Sequence, residues 1–320
     1  MRPLRHNSSV ILASQISMTG LQSLPVQTAL NPLDLVKLAP LMQIASGRTE
    51  TKVALIDGPV TTNHPDLSGA NIVELPGSIG GTCERATSLA CMHGTFVAGI
   101  LCAKRGCTAP AICPGCTLIV RPIFAETTSA NARMPSATPE ELATAIIDCI
   151  NAGAHVINLS AALINPSAKG ERRLDEALGY AARRGVIIVA AAGNQAAVGS
   201  SAITHHPWVI PVIASDLRGR PISYSNLGSS IGRQGLSAPG ESITSLAING
   251  QSPAFGGTSA AAPFVTGAIA LLLSIFPNAN AAAVKLAITT ASGARRTTVV
   301  PPLLNAWAAY QSLLITNSGR

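Results

Sequence analysis

Short, near-continuous apolar runs alternate along the chain with longer segments whose apolar residues recur at helical spacing. KVALID (Lys52–Asp57), CTLIVRPIF (Cys116–Phe124), HVINLSAAL (His155–Leu163), VIIVAAAGN (Val186–Asn194) and WVIPVIAS (Trp208–Ser215) have the length and uniformity of strands buried on both faces. Helices are predicted between them. TPEELATAIIDCINAGA starts at Thr138, an N-cap with Glu141 three residues on. RRLDEALGYAARRG is amphipathic and closed by Gly185. HGTFVAGILCA is expected to open a helix at His93, and the later part of Asn31–Arg48 reads as helical to about Gly47. Residues 58–92 read as loop-rich. The alternation predicts an α/β fold of three layers, doubly wound, with a mostly parallel sheet and helices on both faces. Such sheets bind ligands beyond the C-terminal strand ends, where Asp57, Ser160 and Asn194 fall. Residues 1–30 lack sustained periodicity and read as an extension or poorly ordered arm, with 31–320 as one domain.

Composition supports a compact chain: 47 % hydrophobic and 12 % charged residues, with 28 Gly and 22 Pro. No run approaches about 18 consecutive apolar residues, so no membrane span is expected. The net charge of +7 is spread over small arginine clusters with no interleaved aromatics. That reads as solvated surface, with no nucleic-acid partner. The apolar core of the N-terminal SSVILASQISM is only VILA, short for a signal peptide. A cytoplasmic location is expected, with secretion as the alternative. Six of the seven cysteines, Cys83, Cys91, Cys102, Cys107, Cys113 and Cys116, crowd one stretch. CPGC (Cys113–Cys116) has CxxC spacing without a second CxxC. Local disulfides, buried thiols and zinc stay open as readings, and the odd total leaves one thiol unpaired within a monomer.

Candidate chemistry begins at AFGGTSAAAPFVTGAIALLLSIF (Ala254–Phe276). Thr258 or Ser259 starts a helix, and Pro263 is expected near the end of its first turn, where a missing N–H costs little. Free amide donors and the positive helix end favour an anion beside Ser259. Gly256 and Gly257 admit a close approach. The segment alone also fits a plain serine N-cap. A serine nucleophile needs a base, and the base an orienting acid. Of the histidines, only His93 opens a small-residue segment. Asp57 ends a buried strand and suits an imidazole. Asn194 follows a glycine at a strand end and offers an amide for an oxyanion.

Together VALIDGPV, HGTFVAGI, VAAAGN and GGTSAAAPFVTGAIALLL resemble the subtilisin family of serine proteases, in the family's order Asp, His, Asn, Ser. Weaker echoes are HPDL, VINLS, PISYSNLG, LSAPG and LLNAWAAY. The resemblance covers roughly residues 33–315. It implies a subtilisin-like catalytic domain in which Ser259 is the nucleophile, His93 the base and then acid, Asp57 its orienter and Asn194 the oxyanion donor. It further implies a substrate pocket flanked by Ser160, Ala161, Ala162, Ala192, Gly193 and Thr258. His64, His155, His205 and His206 are expected to be structural.

The chain also departs from the family pattern. Ala162 and Leu163 stand where two glycines are usual, Phe96 and Phe264 where histidines are common, and Ala260 where methionine is common. The loop AKRGCTAPAICPGC lacks the carboxylates of a calcium site, and Asp66 alone is a poor remnant. No cofactor or metal is expected, and cysteine staples are expected to do calcium's work. With 56 residues before Asp57, no typical folding pro-domain is expected. In these features the chain is similar to the proteases that mature cyanobactin-type ribosomal peptides. The expected activity is therefore a serine endopeptidase that processes precursor peptides. A general degradative subtilase is the alternative within the class. Outside it stand an inactive peptide-binding module and a redox protein built on CPGC.

Overall fold

Apolar runs that cannot sit half-exposed must be covered on both faces, and here they form the central sheet. The computed structural model describes residues 11–13, 17–18, 31–77, 83, 87–126, 136–163, 172–248, 250, 252–291, 293 and 298–318. Its strands are β1 (Ile11–Ala13), β2 (Ser17–Met18), β3 (Lys52–Asp57), β4 (Asn71–Glu74), β5 (Thr117–Pro122), β6 (Ser136–Ala137), β7 (Val156–Leu159), β8 (Ala161–Leu163), β9 (Ile187–Ala191), β10 (Val209–Ser215), β11 (Leu236–Pro239), β12 (Ile243–Thr244) and β13 (Ala254–Gly256). Its helices are α1 (Pro32–Leu35), α2 (Ala39–Ile44), α3 (Leu89–Cys102), α4 (Pro139–Asn151), α5 (Arg172–Arg184), α6 (Ala202–His205), α7 (Ser229–Gln234), α8 (Thr258–Ile275), α9 (Ala281–Thr290) and α10 (Ala306–Ser318).

Seven strands in the order β11-β10-β9-β7-β3-β5-β4 make one sheet, parallel at every pairing. Successive side chains of β3 point to opposite faces. Val53 and Leu55 join a core with Phe96 and Ile100 of α3 and Phe264 and Val265 of α8. Ala54 and Ile56 join a second core with Leu142 of α4 and Leu178 of α5. This is the three-layer, doubly wound arrangement that the alternation predicts. From β3 the chain moves out to the edge strand β4, comes back between them as β5 and then crosses to the other side of β3 as β7. That reversal makes the carboxyl ends of β3 and β7 the topological switch point of the sheet. α8 is long and apolar enough to cross a membrane by length and composition, yet 89 % of it is buried in the protein.

Three expectations need correction. α3 starts at Leu89, four residues before His93, because the Ser88 hydroxyl caps it by accepting from the Cys91 N–H at 3.3 Å. HVINLSAAL is not one strand: the chain breaks at Ser160, and β8 leaves the central sheet. Among the described residues of 58–92 loop predominates, as expected, around β4 and a 3-10 turn, Pro65–Leu67. Pro263 is the sixth residue of α8, past the first turn, so its missing N–H does remove an intrahelical bond.

Two small antiparallel sheets, β6-β1-β8 and β12-β13-β2, lie beside the main one. Apart from β1 and β2, residues 1–30 lie outside the described residues.

Candidate active site

Asp57 is the last residue of β3 and His93 the fifth of α3, and both are fully buried. Asp57 Oδ1 and His93 Nδ1 are 2.6 Å apart, and the same oxygen accepts from the Gly58 N–H at 2.7 Å. Two glycines permit this approach. A Cβ on Gly58 would overlap the Ala90 carbonyl of α3, and one on Gly94 would overlap the carbonyl oxygens of Gly58 and Pro59. The turn after β3 and the first two turns of α3 are therefore in backbone contact. His93 Nε2 and Asp57 Oδ2 are buried without a hydrogen-bond partner. A neutral imidazole held through Nδ1–H presents an acceptor at Nε2.

Ser259 is the second residue of α8 and is 2 % exposed. The helix turns in at Gly257, whose φ of +123° suits only glycine. At this position a backbone N–H has no intrahelical acceptor. The Ser259 carbonyl would have bonded the amide four residues on, which is Pro263 and has no N–H. Instead the Ser160 hydroxyl donates to it at 3.2 Å. Asn158 Nδ2 donates to Ser160 Oγ at 2.8 Å, and Thr266 Oγ1 to Asn158 Oδ1 at 2.8 Å. All four residues are buried. The network fixes the nucleophile's backbone from the β7 side.

Asn194 follows β9 through Gly193, whose φ is +105°. Its Oδ1 accepts from the N–H and the hydroxyl of Thr258, both at 3.0 Å. The Thr258 hydroxyl in turn accepts from the Gly193 N–H at 3.2 Å. With the amide oxygen turned to Thr258, the NH2 is the end of Asn194 that can donate at the site. Asn226, which composition and spacing did not single out, ties this wall together. Its Oδ1 accepts from the amides of Gln195 and Ala197, and its Nδ2 donates to the Ala192 carbonyl. The weak PISYSNLG echo was the available signal for it.

The structure thus brings Asp57, His93, Ser259, Asn194, Ser160, Ala161, Ala192, Gly193 and Thr258 to the carboxyl ends of β3, β7 and β9. Ala162 continues from Ala161 in β8. The other histidines among the described residues serve turns and strand starts. His64 Nδ1 accepts from the Asp66 N–H, His155 Nδ1 from the Lys52 N–H, and His206 Nδ1 from the Trp208 N–H. His205 ends α6. Phe96 stacks on Phe255 at 5.0 Å, while Phe264 and Ala260 are core.

Cys83 and Cys91 form a disulfide, while Cys102, Cys107, Cys113, Cys116 and Cys149 are free. Of the readings open for CPGC, the structure has buried thiols. The neighbouring Cys102 and Cys113 thiols, together with burial, push Cys113 and Cys116 well above the ordinary thiol range.

The sequence model of a family described as "Subtilase family" matches residues 48–307. Subtilisin amylosacchariticus, from Bacillus subtilis subsp. amylosacchariticus, is 31 % identical over 234 residues, which cover 72 % of this chain. Fervidolysin, from Fervidobacterium pennivorans, is 33 % identical over 277 residues, which cover 75 % of this chain. The chain spans 57 % of the former's length and 37 % of the latter's. Among solved structures, prenylagaramide maturation protease PagA superposes with a TM-score of 0.75 at 28 % identity, over 86 % of this chain and 98 % of that one. Patellamide maturation protease PatA does so with a TM-score of 0.71 at 30 % identity, over 84 % and 98 %.

Proposed function

The chain belongs to the subtilase family, and from that premise we propose that it is a serine endopeptidase acting on precursor peptides. The observation that carries the reading is the 2.6 Å contact of Asp57 with His93 Nδ1 on α3, a helix that packs against α8, where Ser259 is the second residue. In this reading Ser259 Oγ attacks the peptide carbonyl as His93 Nε2 takes its proton. Asp57 holds the imidazole in the tautomer that can accept and stabilises the imidazolium that forms. The oxyanion is met by the Asn194 amide and the Ser259 N–H. The imidazolium then protonates the departing amine, and a water activated by His93 hydrolyses the acyl-enzyme.

In this reading an extended peptide lies against β8 and one of its side chains sits between Ser160–Ala162 and Ala192–Gly193, next to Thr258, which holds Asn194. The precursor-peptide substrate is supported by the similarity to maturation proteases over most of both chains.

Cleavage profiling on a peptide library tests the reading. Cutting confined to one short sequence context supports it. Cutting across unrelated sequences makes the protein a degradative protease. Binding without any cutting overturns the enzymatic reading in favour of a peptide-binding module.

A further inference from the structure

The two halves of the site are each fixed from within. Asp57 and His93 are joined by their own 2.6 Å contact and by the backbone approach at Gly58 and Gly94. Ser259 is held through its carbonyl by Ser160. Among the described residues His93 Nε2 has no hydrogen-bond partner, so no bond of its own sets the separation of base and nucleophile. That separation has to come from how α3, which carries His93, packs against the elements that lead to Ser259.

The β12–β13 hairpin makes a contact of that kind. Phe255 of β13 lies opposite Ile243 of β12, and Ala254 opposite Thr244. The Ser245 N–H extends the ladder by donating to the Pro253 carbonyl at 3.2 Å. After β13 the Gly257 N–H donates to the Gly240 carbonyl at 2.8 Å, and the chain turns there into α8. Phe255 thus stands four residues before Ser259 on a fixed path.

On the other side, Phe96 follows His93 by three residues in α3, and residues at that spacing are neighbours on one face of a helix. The Phe96 and Phe255 rings meet with centroids 5.0 Å apart and planes tilted by 56°. Such a pair has a preferred geometry that a sliding apolar contact lacks. The rings are 1 % and 5 % exposed, so they act through the elements they join and offer little surface to a peptide. The buried Ser245 hydroxyl donates to the Phe96 carbonyl at 2.7 Å. A Cβ on Gly99 would overlap that hydroxyl, so hairpin and helix meet closely. The hairpin therefore grips one residue of α3 twice, through its ring and through its carbonyl.

We propose, resting on the peptidase reading above, that Phe255, Phe96 and Ser245 are positioning residues. They clasp the helix of the base to the strand that turns into the nucleophile, and so set the path of the proton from Ser259 Oγ to His93 Nε2. Loosening the clasp leaves the Asp57–His93 contact and the Ser160–Ser259 bond in place and lets the two halves shift against each other. A shift of about 1 Å is enough to cost about a hundredfold in rate. The loss falls on the chemical step rather than on peptide binding.

A double-mutant cycle on kcat and KM tests this, with the full chain, one peptide that the wild type cuts, and a temperature below the melting of every variant. Phe96→Leu and Phe255→Leu keep apolar bulk and remove a ring. Each is expected to lower kcat roughly tenfold or more, with KM within about twofold of wild type. Fluorophosphonate labelling of Ser259 is expected to slow in parallel. The double variant is expected to lose no more than the worse single one, because either change already opens the clasp. Leu178→Ala, in the core on the opposite face of the sheet, is expected to lower the melting temperature and leave kcat unchanged. A smaller fall in kcat for either ring variant, a loss confined to KM, a double variant that loses more than the worse single one, or an equal fall in Leu178→Ala overturns the proposal and leaves the peptidase reading standing. Where a leucine variant does not fold, Ser245→Ala decides: a fall in kcat of roughly threefold or more supports the clasp, and a smaller one overturns it. A folded wild-type chain that neither labels nor cuts peptides overturns both readings.

Discussion

The hydroxyl of Ser160 donates to the backbone carbonyl of Ser259 across 3.2 Å, in place of the amide that Pro263 lacks. A helix bond has been exchanged for a side-chain bond from the neighbouring strand end. The position of the nucleophile is thereby tied to the β7–β8 break rather than to its own helix alone. Ser160→Ala should leave a buried carbonyl unsatisfied, at a cost of about 1–3 kcal/mol. It should lower the melting temperature and reduce kcat more than it raises KM. Thr266→Val, one step further along the network through Asn158, should act in the same direction but less. A Ser160→Ala protein with wild-type melting and kcat would remove the network from the account.

Gly94→Ala addresses the contact between α3 and the turn after β3. A Cβ there overlaps the Gly58 and Pro59 carbonyls, so helix and turn must part and the Asp57–His93 contact must open. Activity should fall by at least two orders of magnitude, since misplacement of reacting groups by about 1 Å can cost that much. Circular dichroism should stay close to wild type. Unchanged kcat would mean that the close approach is not needed for the chemistry.

Asn194→Ala removes the amide whose oxygen Thr258 holds. The expected loss is roughly 10²–10³ in kcat with little change in KM, because the amide meets charge that exists only in the transition state. A change confined to KM would place Asn194 in substrate binding instead.

His155 clasps the start of β3 by accepting from the Lys52 N–H at 3.1 Å. Burial, and then the Lys52 charge, lower its pKa. Burial likewise lowers that of His206. With the folded value below the unfolded one, near 6.5, the unfolded chain binds the proton more readily. These groups therefore contribute stability that is complete above about pH 6.5 and is lost as pH falls through the folded values. Chemical denaturation at a series of pH values should show that decline. His155→Asn, which keeps an acceptor without a titrating ring, should make it shallower. A slope unaltered by that substitution would exclude His155 as a contributor.

The Cys83–Cys91 disulfide closes a short loop, with a sequence separation of 8, just ahead of His93. By loop-closure entropy such a link is worth about 2.5 kcal/mol, which corresponds to a fall of roughly 4 °C in melting temperature on reduction. EDTA should leave the melting curve unchanged. A large drop with EDTA and none with reductant would indicate a bound cation and a disulfide without structural weight.

The parallel sheet was legible because strands buried on both faces must be apolar throughout, and KVALID and VIIVAAAGN are. The Asp57–His93 contact and the place of Ser259 at the start of α8 were legible because small residues surround each of them, which matters only where backbones must come close. The start of α3 was missed because Ser88, its cap, lies in a stretch whose periodicity gives no warning of a helix. The Ser160–Ser259 bond was not legible because it joins positions 99 apart in sequence and depends on where α8 begins. Pro263 sits in the first turn or past it according to that start. The pairing of Ile11–Ala13 was hidden for a related reason. Pairing through main-chain hydrogen bonds places little demand on side chains, so VILA read only as a short apolar core.

The most direct test of the central claim is to treat the wild-type protein with a fluorophosphonate and locate the adduct by peptide mass spectrometry. The account predicts a single adduct on Ser259 that forms only in the folded protein and is lost in His93→Ala. An adduct on another serine, or none in a folded protein that still cuts peptides, would contradict it.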